Sequence, residues 1–138
     1  MEKNAQKPTI LLVEDSEEDV FFFMRALEKS GVAIKTLVAV DGREAIKILE
    51  NKETRSNLLM VFLDLKMPML NGFEVLRWVQ NQKLQPPLRI VVLTGSAQER
   101  DRTLAEELGA LDYLVKPVSR EMVEKHLTAA LDSVQKRA

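Results

Sequence analysis

The residues best suited to chemistry in this chain each follow a short apolar run. Glu14-Asp15 follows residues 9–13, and Asp64 follows residues 59–63. Thr94-Gly95 follows residues 89–93, and Lys116-Pro117 follows residues 112–115. Brought together, Glu14, Asp15 and Asp64 repel one another, since like charges at ~4 Å cost about 4 kcal/mol at an effective dielectric of 20. A cation must then offset them. An acidic site offering only oxygen suits Mg²⁺, which takes one or two carboxylates and keeps several waters. The Thr94 hydroxyl, the backbone N–H beside the small Gly95 and the Lys116 ammonium suit a phosphoryl group. A carboxylate facing them beside the metal has the chemistry of a nucleophile that accepts phosphate. Taken singly, each acid or hydroxyl is an ordinary cap for the helix that follows; the joint set at successive run ends carries the argument.

Positioning these residues requires a scaffold, and the hydropathy pattern supplies one. Five apolar runs, at 9–13, 36–40, 59–63, 89–93 and 112–115, alternate with longer segments of helical pattern. Their continuous apolar character predicts strands buried on both faces. Ser16 can cap a helix with the stripe Val20, Phe23, Met24 and Leu27, stopped by Gly31. Asp41 and Glu44 have capping-box spacing before Ala45, Ile46 and Leu49. Asn71 caps a helix carrying Phe73, Val75, Leu76 and Val79. A fourth helix spans about 98–108 and ends at Gly109. Ser119 caps the last, with the stripe Met122, Val123, Leu127, Ala130, Leu131 and Val134. Residues 51–57 and 80–87 read as surface loops. Strands alternating with helices give right-handed parallel β-α-β units. The predicted fold class is α/β, a flavodoxin-like doubly wound (βα)5 with a five-stranded parallel sheet in the order 2-1-3-4-5. Ligands bind such sheets beyond the strand carboxyl ends where strand order reverses, here between the first and third strands.

Composition narrows the function classes. The 138 residues include 20 basic and 21 acidic ones, for a net charge of −1, and 46% are hydrophobic. This length fits one domain with a core of its own. No apolar run reaches the ~18 residues of a membrane span, and the balanced charge gives no broad footprint for nucleic acid. Cys is absent, which excludes disulfide scaffolds and thiolate chemistry, and the single His126 excludes multi-His metal sites. The polar start lacks a secretory signal, so the chain is read as cytoplasmic.

Glu14-Asp15, the run Asp64-Leu-Lys-Met-Pro68 with Asn71-Gly72, Thr94-Gly95, Tyr113 and Lys116-Pro117 together resemble the receiver domain of two-component response regulators. The Ser-Glu-Glu-Asp-Val segment after Asp15 further resembles the single-domain regulators paired with phytochrome kinases. Residues 1–8 read as a mobile N-terminal tail, because nothing in that polar start can anchor it, and the resemblance implies 9–138 as the receiver domain. It implies Asp64 as the phosphoacceptor, taking phosphate from a sensor histidine kinase, with Mg²⁺ held by Asp15, Asp64 and the Lys66 carbonyl and by Glu14 through water. Lys116 would pair with Asp64 and then with the phosphoryl group, across a cis Lys116–Pro117 bond. Thr94 and Tyr113 would be the switch pair, Tyr113 turning inward as Thr94 moves toward the phosphoryl. Glu14 stands where Asp is commoner, and Gly95 where Ala or Ser is usual. Lys66 and Ser96 occupy positions that tune phosphate lifetime.

The expected function is a response regulator phosphorylated on Asp64 in a Mg²⁺-dependent reaction, not an enzyme on other substrates. Because the chain stops at Ala138 just past the last helix, its output is expected through changed protein contacts on the surface between the fourth helix and the fifth strand. The alternative is a phosphorelay intermediate passing phosphate to a histidine phosphotransfer protein. Partners are therefore a sensor kinase or phosphotransfer protein, a downstream protein and, as a further candidate, a second copy in a homodimer. A phosphatase on small molecules would want an acid two residues after Asp64, where Lys66 stands. A flavin module would want a phosphate-cradling loop after the first strand, where Glu14-Asp15 repel phosphate. Outside the pocket, Phe22 points opposite to Phe23 at about 100° per residue, and Asp19 shares its face. Phe22 either folds down between neighbours or, with Asp19, docks a partner helix. His126 reads as a packing residue flanking the last stripe, and Trp78 as half-buried.

Overall fold

A computed structural model of the protein describes residues 7–137, with side chains described to residue 134. The strands are β1 (Thr9–Val13), β2 (Lys35–Ala39), β3 (Leu58–Asp64), β4 (Ile90–Thr94) and β5 (Asp112–Val115). The helices are α1 (Glu17–Ser30), α2 (Gly42–Glu50), α3 (Lys52–Ser56), α4 (Gly72–Gln82), α5 (Glu99–Glu107) and α6 (Arg120–Arg137). All strand pairs are parallel, and the order is β2-β1-β3-β4-β5, as the alternating pattern predicts.

The period-two alternation of side chains along each strand divides the core into two layers. Leu11, Val13, Val61, Leu63 and Val92 face α2, α4 and α5 through Leu49, Val75, Leu76 and Ala105. Ile10, Leu12, Met60, Phe62, Val91 and Leu93 face α1 and α6 through Phe23, Leu27, Val123 and Leu127. The Phe23 and Phe62 rings meet at 4.9 Å between centroids, which ties α1 to the sheet centre. Their burial removes large apolar areas from water, the dominant stabilising contribution of such a layer.

Several local expectations are corrected. β2 is an edge strand and, unlike β5 at the other edge, it is not buried on both faces: Val38 is 39% exposed. Residues 51–57 are not a loop throughout: Asn51 caps the five-residue α3 by accepting from the Thr54 N–H at 2.9 Å, and Arg55 donates to the Leu49 carbonyl. α3 buries no side chain, so it has no apolar stripe to announce it. α4 extends three residues into the segment read as the 80–87 loop and stops at Lys83 in a left-handed conformation. In α1 Ala26 is buried while Met24 is exposed, and in α6 Met122 and Val134 are exposed. Residues 1–6 of the expected tail lie outside the described residues; the Pro8 carbonyl accepts from the Lys35 N–H at 2.8 Å. Among the described residues no helix is long and apolar enough to cross a membrane.

Candidate functional site

The register of the parallel sheet fixes where the strands stop. Val13 lies opposite Ala39 and Leu63, Asp64 opposite Leu93, and Thr94 opposite Val115. The next residue along each chain therefore emerges at one edge, and Glu14, Asp15, Asp64, Thr94 and Lys116 meet there. Carboxylate oxygens of Glu14, Asp15 and Asp64 lie within 4.8 Å of one another. Glu14 and Asp64 are buried, at 2% and 4% exposure, while Asp15 faces solvent.

Local structure holds each acid. The Glu14 N–H extends the sheet ladder to the Ala39 carbonyl, and Glu14 Oε2 accepts from the Ser16 N–H at 3.2 Å. Ser16 in turn caps α1 by accepting from the Asp19 N–H. Asp64 Oδ1 accepts from the Lys66 N–H at 3.4 Å. Behind Asp64, Asn71 and Glu74 form a reciprocal capping box that starts α4. Gly72 donates to the Leu65 carbonyl, and a β-carbon there would lie 2.4 Å from the Asp64 carbonyl oxygen. Only glycine lets the helix start press this closely on the strand end.

The electrostatics are those of a site short of positive charge. Burial pushes the Glu14 carboxyl up to about 7, against the lowering effect of its hydrogen bond from Lys116. Burial also raises Asp64, although the Lys116 charge works the other way. Burial works against the Lys116 charge, but hydrogen bonds to Asp19 and Glu14 and the charge of Asp64 outweigh it, so the ammonium is held above the ordinary lysine range. Lys116 Nζ lies 2.6 Å from Glu14 Oε1, 2.8 Å from Asp19 Oδ2 and 3.5 Å from Asp64 Oδ1. The expected Lys116–Asp64 pair is present, but Lys116 is shared: its two short contacts are to Glu14 and Asp19, and Asp64 is the distant third. One ammonium for four acids leaves room for a divalent cation, and the all-oxygen donor set fits a hard one. The Lys116–Pro117 peptide is cis, as expected.

On the other side of Asp64 the groups are neutral. Thr94 is fully buried, and its Oγ1 accepts from the Ser96 N–H at 3.2 Å. The Thr94 carbonyl accepts from the Lys116 N–H at 2.7 Å. Gly95 is exposed, with open space where a β-carbon would go, so neither packing nor backbone conformation demands glycine. Tyr113 already occupies the inward position that the switch reading gives it, with its ring buried and its hydroxyl donating to the Ser96 carbonyl at 2.8 Å. Burial raises its phenol above the usual range. Ser96 Oγ donates to Asp101 Oδ2, and the Arg102 guanidinium lies 5.2 Å from the Tyr113 ring centroid.

Two of these residues escaped the sequence reading. Asp19, expected beside Phe22 as a docking residue, also holds Lys116, a role not read from the sequence. Its position in the first turn of a helix that starts at the sheet's carboxyl edge is the signal that could have found it. Arg102 over Tyr113 had no sequence signal, because the pair joins two elements through a cation–π contact. Phe22 is 53% exposed, and with Asp19, Glu14 and Lys116 it lines a cavity of about 240 Å³. His126 is half-buried and pairs with Asp112 at 2.9 Å, and Trp78 is half-buried as expected.

A parallel α/β sheet with clustered carboxylates and a lysine at its carboxyl edge defines a class of phosphoryl-accepting signalling domains, and residues 10–128 match the response regulator receiver domain: the chain belongs to that family of two-component regulators. It is similar to the bacteriophytochrome response regulator AtBRR, with 34% identity and a TM-score of 0.76 over 93% of this chain and 94% of that one. The Mn(2+)-bound form of the response regulator Rcp1 shares 29% identity and a TM-score of 0.71, covering 88% of this chain and 90% of that one. The alkaline phosphatase synthesis transcriptional regulatory protein PhoP of Bacillus subtilis (strain 168) is 38% identical over 122 residues, 88% of this chain and 48% of PhoP. The chain thus spans about half the length of that relative.

Proposed function

We propose that residues 9–138 form a receiver that takes a phosphoryl group from the phosphohistidine of a sensor histidine kinase onto Asp64 and signals through changed protein contacts. The observation that carries this is a buried Asp64 whose carboxylate stands within 4.8 Å of Glu14 and Asp15 oxygens and 3.5 Å from the Lys116 ammonium. An Asp64 oxygen attacks phosphorus, the P–N bond breaks, and the imidazole leaves with its electron pair and picks up a proton from water. Lys116 offsets charge on the phosphoryl oxygens, while the Thr94 hydroxyl and the Gly95 N–H donate to them. Glu14, Asp15, Asp64 and the Lys66 carbonyl would hold Mg²⁺, which supplies when bound the positive charge that this acidic pocket lacks. The Mn²⁺ held by the similar Rcp1 supports a divalent site.

Thr94 and Tyr113 form the switch in this reading, and the α5–β5 surface around Arg102 presents its state to a downstream protein or a second copy of the chain. Phe22, overhanging the cleft beside Lys116, docks the kinase or a phosphotransfer protein. The test is Asp64→Asn. Wild-type protein with Mg²⁺ and a small phosphodonor should gain one phosphoryl group by intact mass, and the variant should gain none while keeping its circular dichroism spectrum. Stable phosphate incorporation into Asp64→Asn would sink the assignment.

A further inference from the structure

Lys116 is shared among three acids, and the sharing is uneven. An ammonium has three hydrogens to donate. Here two of its contacts are short, to Glu14 Oε1 at 2.6 Å and Asp19 Oδ2 at 2.8 Å, and the contact to Asp64 Oδ1 is long, at 3.5 Å. The backbone that carries Asp19 is fixed. Its N–H is tied to Ser16 Oγ in the cap of α1, and α1 is anchored through Phe23 and Leu27 in the core. The third hydrogen is free toward Asp64, but closing the 3.5 Å gap moves Nζ away from at least one of its two short partners. Glu14 is the less able to release it, because its carboxylate is almost fully buried and water cannot replace the ammonium there. The Asp19 side chain is 36% exposed, so water can take the place of Lys116.

We propose that Asp19 is a positioning residue that retains Lys116 on the α1 side of the pocket, so that release of the Asp19–Lys116 pair is a step of phosphorylation and sets its rate. This rests on the reading of Asp64 as phosphoacceptor. It also gives Asp19 a role in the reaction that does not depend on a partner, beside the docking role its sequence position suggested.

The experiment uses the full chain with Mg²⁺ and acetyl phosphate, so that no kinase contact contributes. Asp19→Asn should raise the phosphorylation rate constant roughly twofold to fivefold, the range expected from freeing a partly exposed ion pair. Glu18→Gln removes the same charge from the same exposed turn and should stay near the wild-type rate. In a Lys116→Met background, Asp19→Asn should have no effect. A crystal structure of metal-free Asp19→Asn should show Lys116 Nζ within hydrogen-bond distance of Asp64, a readout independent of turnover. An unchanged or slower rate, an equal gain in Glu18→Gln, a gain that persists without Lys116, or an unmoved Lys116 would each overturn the proposal. If wild-type protein takes no phosphate on Asp64, the phosphoacceptor reading falls and this one with it. If wild type is phosphorylated and Asp19→Asn matches it, only the Asp19 proposal falls.

Discussion

The two flanks of Asp64 are built on opposite principles. On the β1–α1–β5 flank, Glu14 and Asp19 share one lysine beside the exposed Asp15, and burial drives the Glu14 carboxyl up to about 7. On the β4–α5 flank, Thr94, Ser96 and Tyr113 are linked by hydrogen bonds of 2.8–3.2 Å, with the charges of Asp101 and Arg102 at the margin. The first flank holds charge that the fold alone does not balance, so it responds strongly to cations and to added phosphate. The second is satisfied without a ligand, so in the proposed switch its rearrangement would exchange one set of neutral hydrogen bonds for another. The proposed receiver uses both, a flank that reacts and a flank that shifts.

The difference can be broken most strongly through pH. Glu14 ordinarily titrates at 4.5 and is held up to about 7 in the fold, so the native state binds more protons than the unfolded chain between those values. Stability of protein kept in chelator should therefore be greatest below pH 4.5 as far as Glu14 is concerned and fall as pH rises from there through 7, by on the order of 3 kcal/mol. Asp64, also raised, acts in the same direction. Added Mg²⁺ should restore the lost stability by mass action. Glu14→Ala with Asp15→Ala should flatten the profile and raise metal-free stability at pH 8. Urea midpoints across pH would measure this, and a double variant that loses stability at pH 8 would show that these acids mainly brace the loop.

The neutral flank should answer less. Tyr113→Phe removes the donor to the Ser96 carbonyl, and the expected cost is about 1 kcal/mol. That cost should not vary between pH 5 and 8, which distinguishes it from the acidic flank. A pH-dependent loss would mean that Asp101 or Arg102 governs the tyrosine by charge instead. Smallest of all is the expected stability change of Phe22→Ala. The ring is half exposed, so the loss should be within about 0.5 kcal/mol. Phosphotransfer from the cognate kinase should slow in that variant, while reaction with acetyl phosphate stays the same. A loss of about 3–5 kcal/mol would mark Phe22 as core and remove it from the docking surface.

Much of this molecule was legible in its sequence. The apolar runs of β1, β3, β4 and β5 are nearly continuous because helices cover them on both faces, and the residues that follow them fall at the sheet edge. Glu14, Asp15, Asp64, Thr94 and Lys116 come together for that reason. Local sequence does not fix what depends on lateral position or on side-chain reach. β2 and β5 are both edge strands, yet only β2 leaves an apolar side chain such as Val38 open, and its own residues do not encode that difference. α3 is stabilised by a cap and an arginine contact, neither of which leaves a hydropathy period.

The sequence by itself determined the strand and helix alternation, the residues at the strand ends and the chemistry those residue types allow, because these follow from local periodicity and donor type. Only the tertiary structure decided how that chemistry is shared out. It gave Lys116 to Glu14 and Asp19 before Asp64, turned Tyr113 inward beneath Arg102, and left Phe22 over the cleft. The physical reason is distance: an ion pair or a cation–π contact is settled by differences of less than an ångström between side chains far apart in sequence, and no local pattern records them.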